Sequence, residues 1–178
     1  MRSLYYLVLI LLALFLFSTS GMSLAKNNAL TIESYGVTQG SLSGDYERKL
    51  TNKISLAVQF LTSKGSRQDF EYTGIGGGTG IKYYLSQQAL NGTYIGASGN
   101  VVSIKFLSDL EEGKITSFGL AGSLGYKWIL ERGMAIDVGF SLAIPISTQI
   151  TTSESGLRET VSFGKIGSGI NLGLGFAW

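Results

Sequence analysis

The sequence predicts an all-β fold, an eight-stranded antiparallel up-and-down transmembrane β-barrel that follows a cleaved N-terminal signal peptide. Three observations carry this expectation. Beyond Lys26, strict two-residue alternation recurs in one segment after another, and no window keeps a helical period. The face opposite the large apolar side chains holds mainly Gly, Ala and Ser, where a water-facing surface is normally rich in charge. Over the 178 residues, charged residues make up 15%, with 25 Gly and 1 Pro, a balance that suits neither a soluble surface nor a disordered chain.

The first element has the layout of an export signal. Arg2 supplies a positive start, and Leu4 to Phe17 form an apolar run that is short for a membrane span but ordinary for a signal. Ser23 and Ala25 occupy the −3 and −1 positions of a small-residue cleavage site. This predicts a signal peptide over 1–25 and a single barrel domain over 26–178. An uncleaved anchor is the alternative, and with no Cys in the chain a lipoprotein anchor is excluded. The same absence means that an exported domain of this size is stabilised without disulfides.

Eight strands can be counted after the signal. The first four are Asn28 to Val37, Gly40 to Lys49, a segment through Ile54 to Phe60, and Phe70 to Leu85. The others are Gly92 to Leu107, Ile115 to Leu130, Met134 to Ile144 and Ile166 to Trp178. Neighbouring side chains on a strand point to opposite faces, so each segment splits in two. Phe118, Leu120, Leu124, Tyr126 and Trp128 oppose Ser117, Gly119, Ala121, Ser123, Gly125 and Lys127. Ile136, Val138, Phe140, Leu142 and Ile144 oppose Ala135, Asp137, Gly139, Ser141 and Ala143. Ile170, Leu172, Leu174, Phe176 and Trp178 oppose Gly169, Asn171, Gly173, Gly175 and Ala177. Small residues fit the crowded concave side of a narrow barrel, and an uncharged bulky face fits contact with lipid. An even count is expected, because every backbone group in a bilayer needs a partner and the sheet must close.

With the N-terminus on the periplasmic side, Leu50 to Asn52, Ser86 to Asn91 and Glu131 to Gly133 become periplasmic turns. Thr38 to Gln39, Ser63 to Asp69, Ser108 to Lys114 and Ser147 to Thr160 become outer connections. Tyr46, Tyr83, Tyr94, Tyr126, Trp128 and Trp178 then gather near one rim and Phe60, Phe106, Phe118 and Phe163 near the other, as in the aromatic girdles of membrane barrels.

On these strands the sequence resembles the small eight-stranded outer-membrane barrels of the OmpA/OmpX-like superfamily over nearly all of 26–178. The most specific element is Trp178 preceded at alternate positions by Phe176, Leu174, Leu172 and Ile170. This is similar to the C-terminal signal by which the β-barrel assembly machinery recognises its clients, although Phe is the commoner last residue. Gly44-Asp45-Tyr46-Glu47-Arg48, Lys82-Tyr83-Tyr84 and Gly125-Tyr126-Lys127-Trp128 resemble a group of small bacterial barrels of undefined function. The resemblance implies a bacterial outer-membrane location and lipid surroundings, and it implies no activity.

The chemistry is marked by what is missing. With no His and no Cys, the chain lacks the commonest general base, a thiol nucleophile and most transition-metal ligands. We therefore expect no enzyme and no cofactor. A net charge of +2 points to no nucleic acid. The run Gly74-Ile75-Gly76-Gly77-Gly78-Thr79-Gly80 fits no phosphate-loop fingerprint, because Ile81 follows instead of Lys and no helix comes after. A glycine-lined wall is expected there. Asp45, Glu47 and Asp137 are expected to share the interior with Lys82, Lys127 and Lys165. The network either plugs the barrel or forms a narrow ion path, and the small bore of eight strands favours the plug. Ser147 to Thr160 is either a solvated turn around Gly156 or a projecting hairpin whose edge recruits an extracellular protein. A soluble exported barrel holding an apolar ligand is a third reading, and it requires the large side chains to point inward.

Overall fold

A computed structural model describes residues 26–33, 40–67, 70–85, 88–108, 112–152, 158–162 and 166–178; the expected signal segment lies outside them. The strands are β1 (Asn28–Glu33), β2 (Ser41–Lys49), β3 (Ile54–Arg67), β4 (Phe70–Tyr84), β5 (Gly92–Ser108), β6 (Glu112–Ile129), β7 (Met134–Thr152), β8 (Arg158–Ser162) and β9 (Gly167–Ala177). All pairings are antiparallel. Sequential neighbours pair from β1 to β7, and β8 and β9 both pair with β7, as two stretches of one eighth strand. β9 then pairs with β1, through Ala29 with Ala177 and Glu33 with Gly173, which closes an eight-stranded barrel. The closure pairs β1 and β9 edge to edge over Ala29–Glu33, and Trp178 N–H donates to the Asn28 carbonyl at 2.9 Å across the seam.

The near end carries Lys26, Trp178 and the turns at 50–53, 88–91 and 130–133. At the 130–133 turn Leu130 N–H donates to the Met134 carbonyl at 2.9 Å, and Gly133 takes a φ of 92° that other residues adopt only with strain. In the near half the period-two pattern resolves as expected: Leu120, Phe140 and Leu172 stand outward with 57, 46 and 45% exposure, and do not meet in a core. Ala29, Ala57, Ala135 and Ala177 are buried on the inner side. The glycine run lies in β4, where a side chain added at Gly80 would strike the Ala97 carbonyl and the Ser98 backbone, so close strand packing accounts for it.

The far half departs from the expected strand ends. Ser63 to Asp69 was expected as a connection, yet β3 runs to Arg67 and β4 starts at Phe70, in register through Arg67 opposite Phe70. Likewise β6 begins at Glu112 and β7 runs to Thr152, so the expected connections at Ser108 to Lys114 and Ser147 to Thr160 are largely paired strand. In this extension the two faces exchange character. Outward positions hold Lys64, Glu71, Lys105, Glu112, Lys114, Gln149 and Thr151, all exposed. Inward positions hold Leu61, Val102, Ile104, Phe106, Ile115 and Ile150, all half-buried. On β7 the exchange is made by a bulge opposite Phe118/Gly119, next to Pro145. One added residue moves the outward set from Leu142 and Ile144 to Gln149 and Thr151. Proline lacks the N–H a ladder needs, so a bulge is where a strand tolerates it.

The aromatic sorting is corrected at two positions. Tyr94 points inward and is 2% exposed. Phe106 also points inward, its ring lying over Gly113 on the facing strand. The others at the near rim face out, with Tyr126 and Trp128 ring centroids 4.3 Å apart and Tyr46 6.2 Å from Trp178. Phe163 lies outside the described residues.

Candidate functional site

Alternation sends Asp45 and Glu47 of β2, Lys82 of β4, Lys127 of β6 and Asp137 of β7 to the inner side, and the barrel's small bore brings all five into one cluster. Lys82 Nζ lies 3.1 Å from Asp45 Oδ2, 3.1 Å from Glu47 Oε2 and 3.5 Å from Asp137 Oδ2. Lys127 Nζ lies 2.5 Å from Glu47 Oε2 and 3.1 Å from Asp137 Oδ2. Both lysines therefore bridge acids contributed by different strands. Glu47 and Lys127 are fully buried, and an ion in such a place is tolerable only with its partners in position.

The remaining lone pairs are satisfied by neutral donors. Thr31 donates to Asp45 Oδ1 at 2.7 Å, Tyr84 to Glu47 Oε1 at 2.7 Å and Tyr94 to Asp137 Oδ1 at 2.8 Å, while Ser55 also donates to Glu47 Oε1. Among the described residues, no buried side-chain polar atom lacks a partner. Lys82 Nζ also sits 4.7 Å from the Tyr94 ring centroid, close enough for a cation–π contact. The network is thus complete in itself, which is what a plug requires.

Beneath this cluster the near end is stoppered a second time. The 88–91 turn tucks under the barrel, so that Leu90, 1% exposed, packs with Ala29, Ala177 and Ile129. Ala89 N–H donates to the Asn52 carbonyl at 2.7 Å, and Ile129 N–H to Asn91 Oδ1 at 3.2 Å, which pin the turn to the 50–53 turn on one side and to β6 on the other. Leu90 has a φ of 76°, an uncommon conformation for a residue with a branched side chain. Its burial offsets that strain. Outside the strands, Lys26 Nζ donates to the Leu130 carbonyl at 2.9 Å, and partial desolvation lowers its pKa from the ordinary lysine value.

Above the cluster the bore widens into a cavity of about 370 Å³. Asp45, Lys82 and Asp137 form its floor, Ser98, Asn100, Ser123, Ser141 and Asn171 line its wall, and Glu33, Leu61 and Val102 border it higher up. Glu33 accepts from Ser43 Oγ at 2.5 Å.

Five of the six charged residues expected inside thus come together, and Lys165 lies outside the described residues. Sequence reasoning missed the hydrogen-bonding roles of Thr31, Ser55, Tyr84 and Tyr94. Tyr94 shares its strand face with Gly96, Ser98 and Asn100, a parity that marks it as interior. Of the C-terminal positions, Ile170, Leu172, Leu174 and Trp178 are exposed on the outer wall, and Phe176 is half-buried against Trp178 at 6.5 Å. Among the described residues no His, Cys, Asp or Glu group is arranged to hold a metal ion. No protein-family model matches the chain, and no curated protein matches it.

Proposed function

We propose that the chain is a non-enzymatic, OmpA/OmpX-like barrel of the Gram-negative outer membrane, exported by its 1–25 segment, with a structural or surface-contact role. One observation carries the reading: a closed barrel turns its bulky apolar side chains outward in a continuous belt and keeps its buried charges inside. In water that belt would be a large exposed patch of a kind monomeric soluble proteins avoid, whereas lipid makes it the favourable face. A soluble barrel holding an apolar ligand requires the opposite orientation. The belt ends where Lys105, Glu112 and Lys114 appear on the outer face, as expected where a wall leaves the hydrocarbon.

The rival pore reading is weakened by the two stoppers, the charge cluster and the Leu90 turn, which lie one beneath the other across a narrow bore. The surface-contact role is supported by the β7–β8 hairpin, paired from Ser147 with Ser162 to Thr151 with Arg158 at the far end. Its strand edge could recruit an extracellular protein by β-addition. We expect the folded protein to fractionate with outer membranes and to change gel mobility on boiling. Recovery in the soluble fraction with no mobility change would overturn the membrane reading. Loss of partner capture or surface adhesion on deleting Thr151 to Arg158 is expected of the contact role, and unchanged adhesion counts against it.

A further inference from the structure

The far half of the bore is apolar on its inner face at a level where its outer face carries charge, and leaving the hydrocarbon accounts for the outer change but not for the inner one. We propose that this mouth and the cavity beneath it form a binding site for a single-chain cationic amphiphile, with its alkyl tail along Ile104, Ile115 and Ile150 and its ammonium-type head at Glu33.

The shape restricts the occupant. Ile104 pairs with Ile115 and Ile115 with Ile150, so the three form a continuous apolar ladder across β5, β6 and β7. The Tyr72 ring fills the space beside Gly65 and the Phe106 ring that beside Gly113. The ladder residues stay half-buried. Covering apolar surface is favourable by about 25 cal/mol per Å². An eight-stranded bore admits one slender chain and excludes a folded partner. The near end is blocked by the charge cluster and by Leu90, so a molecule entering from the far end leaves by the same route. Among the described residues the pocket is therefore closed at its near end.

Charge selects the head group. Asp45 and Asp137 are each held by lysines, whereas Glu33, at the cavity's border, accepts only from the Ser43 hydroxyl among the described residues. The described lining of the cavity carries three carboxylates and one ammonium, Lys82. Leu61 and Val102 stand beside the same cavity, so a head at Glu33 leaves its tail directed to the apolar ladder. A cation at Glu33 gains an ion pair together with its hydrogen bond, whereas an alcohol gains only the hydrogen bond and a carboxylate is repelled.

The test uses the full barrel in phosphatidylcholine nanodiscs, with empty nanodiscs as the reference, titrated calorimetrically with decylammonium, decanoate and decanol. A barrel that stays soluble and does not insert is titrated in buffer, so failure of the membrane reading and failure of this one are distinguishable. Decylammonium is expected to bind about tenfold or more tightly than decanoate or decanol. Glu33→Gln should remove that preference while leaving decanol unchanged. Ile115→Asn, with folding checked by gel mobility, should weaken all three. No binding above the reference, equal binding of decylammonium and decanoate, or indifference to Glu33→Gln would each overturn the proposal.

Discussion

The near and far halves of this barrel use the same strands with opposite polarity. In the near half, Leu120, Phe140 and Leu172 face out and Asp45, Glu47, Lys82, Lys127 and Asp137 face in. In the far half, Lys64, Lys105 and Lys114 face out and Ile104, Ile115 and Ile150 face in. β5 and β6 make the exchange without breaking alternation, simply by changing which residue type occupies each parity. β7 makes it with a bulge that shifts the parity itself. Period-two patterning thus specifies a strand, but the medium on each side has to be read from composition at each height.

The most severe way to break the near half is Glu47→Ala. The substitution strips partners from Lys82, Lys127, Tyr84 and Ser55 at once, leaving buried ammonium groups under-compensated. A loss of about 3–5 kcal/mol is expected, read as a lower melting temperature in detergent. Unchanged melting together with altered single-channel conductance would support the ion path over the plug. Leu90→Ala comes next. It leaves a void at the near end while keeping the unfavourable φ, for a cost of about 2–4 kcal/mol in urea-induced unfolding from liposomes.

The comparison sharpens with one charge placed on the same outer face at two heights. Leu120→Arg puts a cation in the apolar belt and should destabilise the barrel in liposomes by about 2–4 kcal/mol. Thr151→Arg, on the far wall, should change stability by no more than about 0.5 kcal/mol. Equal penalties at both heights would mean that the outer face does not cross from lipid to water between them.

Much of the near half was legible because its faces differ so sharply in size. The Ile115 to Leu130 and Met134 to Ile144 segments could be assigned inside and outside residue by residue. Five interior charges were identifiable by the same parity, since a charge opposite an apolar face has nowhere else to go. The far half was not legible, because runs such as Ser63-Lys64-Gly65-Ser66 carry the polar and glycine content of a connection. The Ile115–Ile150 pairing is long-range, and no local pattern announces it. Tyr94 was misplaced for a related reason: an aromatic near a strand end fits both a lipid interface and an interior hydrogen bond. Only the position of Asp137, 43 residues later, decides between them.

The charge cluster draws on β2, β4, β6 and β7, and Lys127 reaches Glu47 across 80 positions of sequence. A sheet holding only β2 to β4 already carries Asp45, Glu47 and Lys82, which pair with one another, but Lys127 and Asp137 arrive only with the last third of the chain. Without β6 and β7 the cluster holds two acids and one base, and the excess charge needs water on the concave side. Seating of the final strands then coincides with drying of the interior, and the order of assembly is written into the spacing of a few ionised side chains.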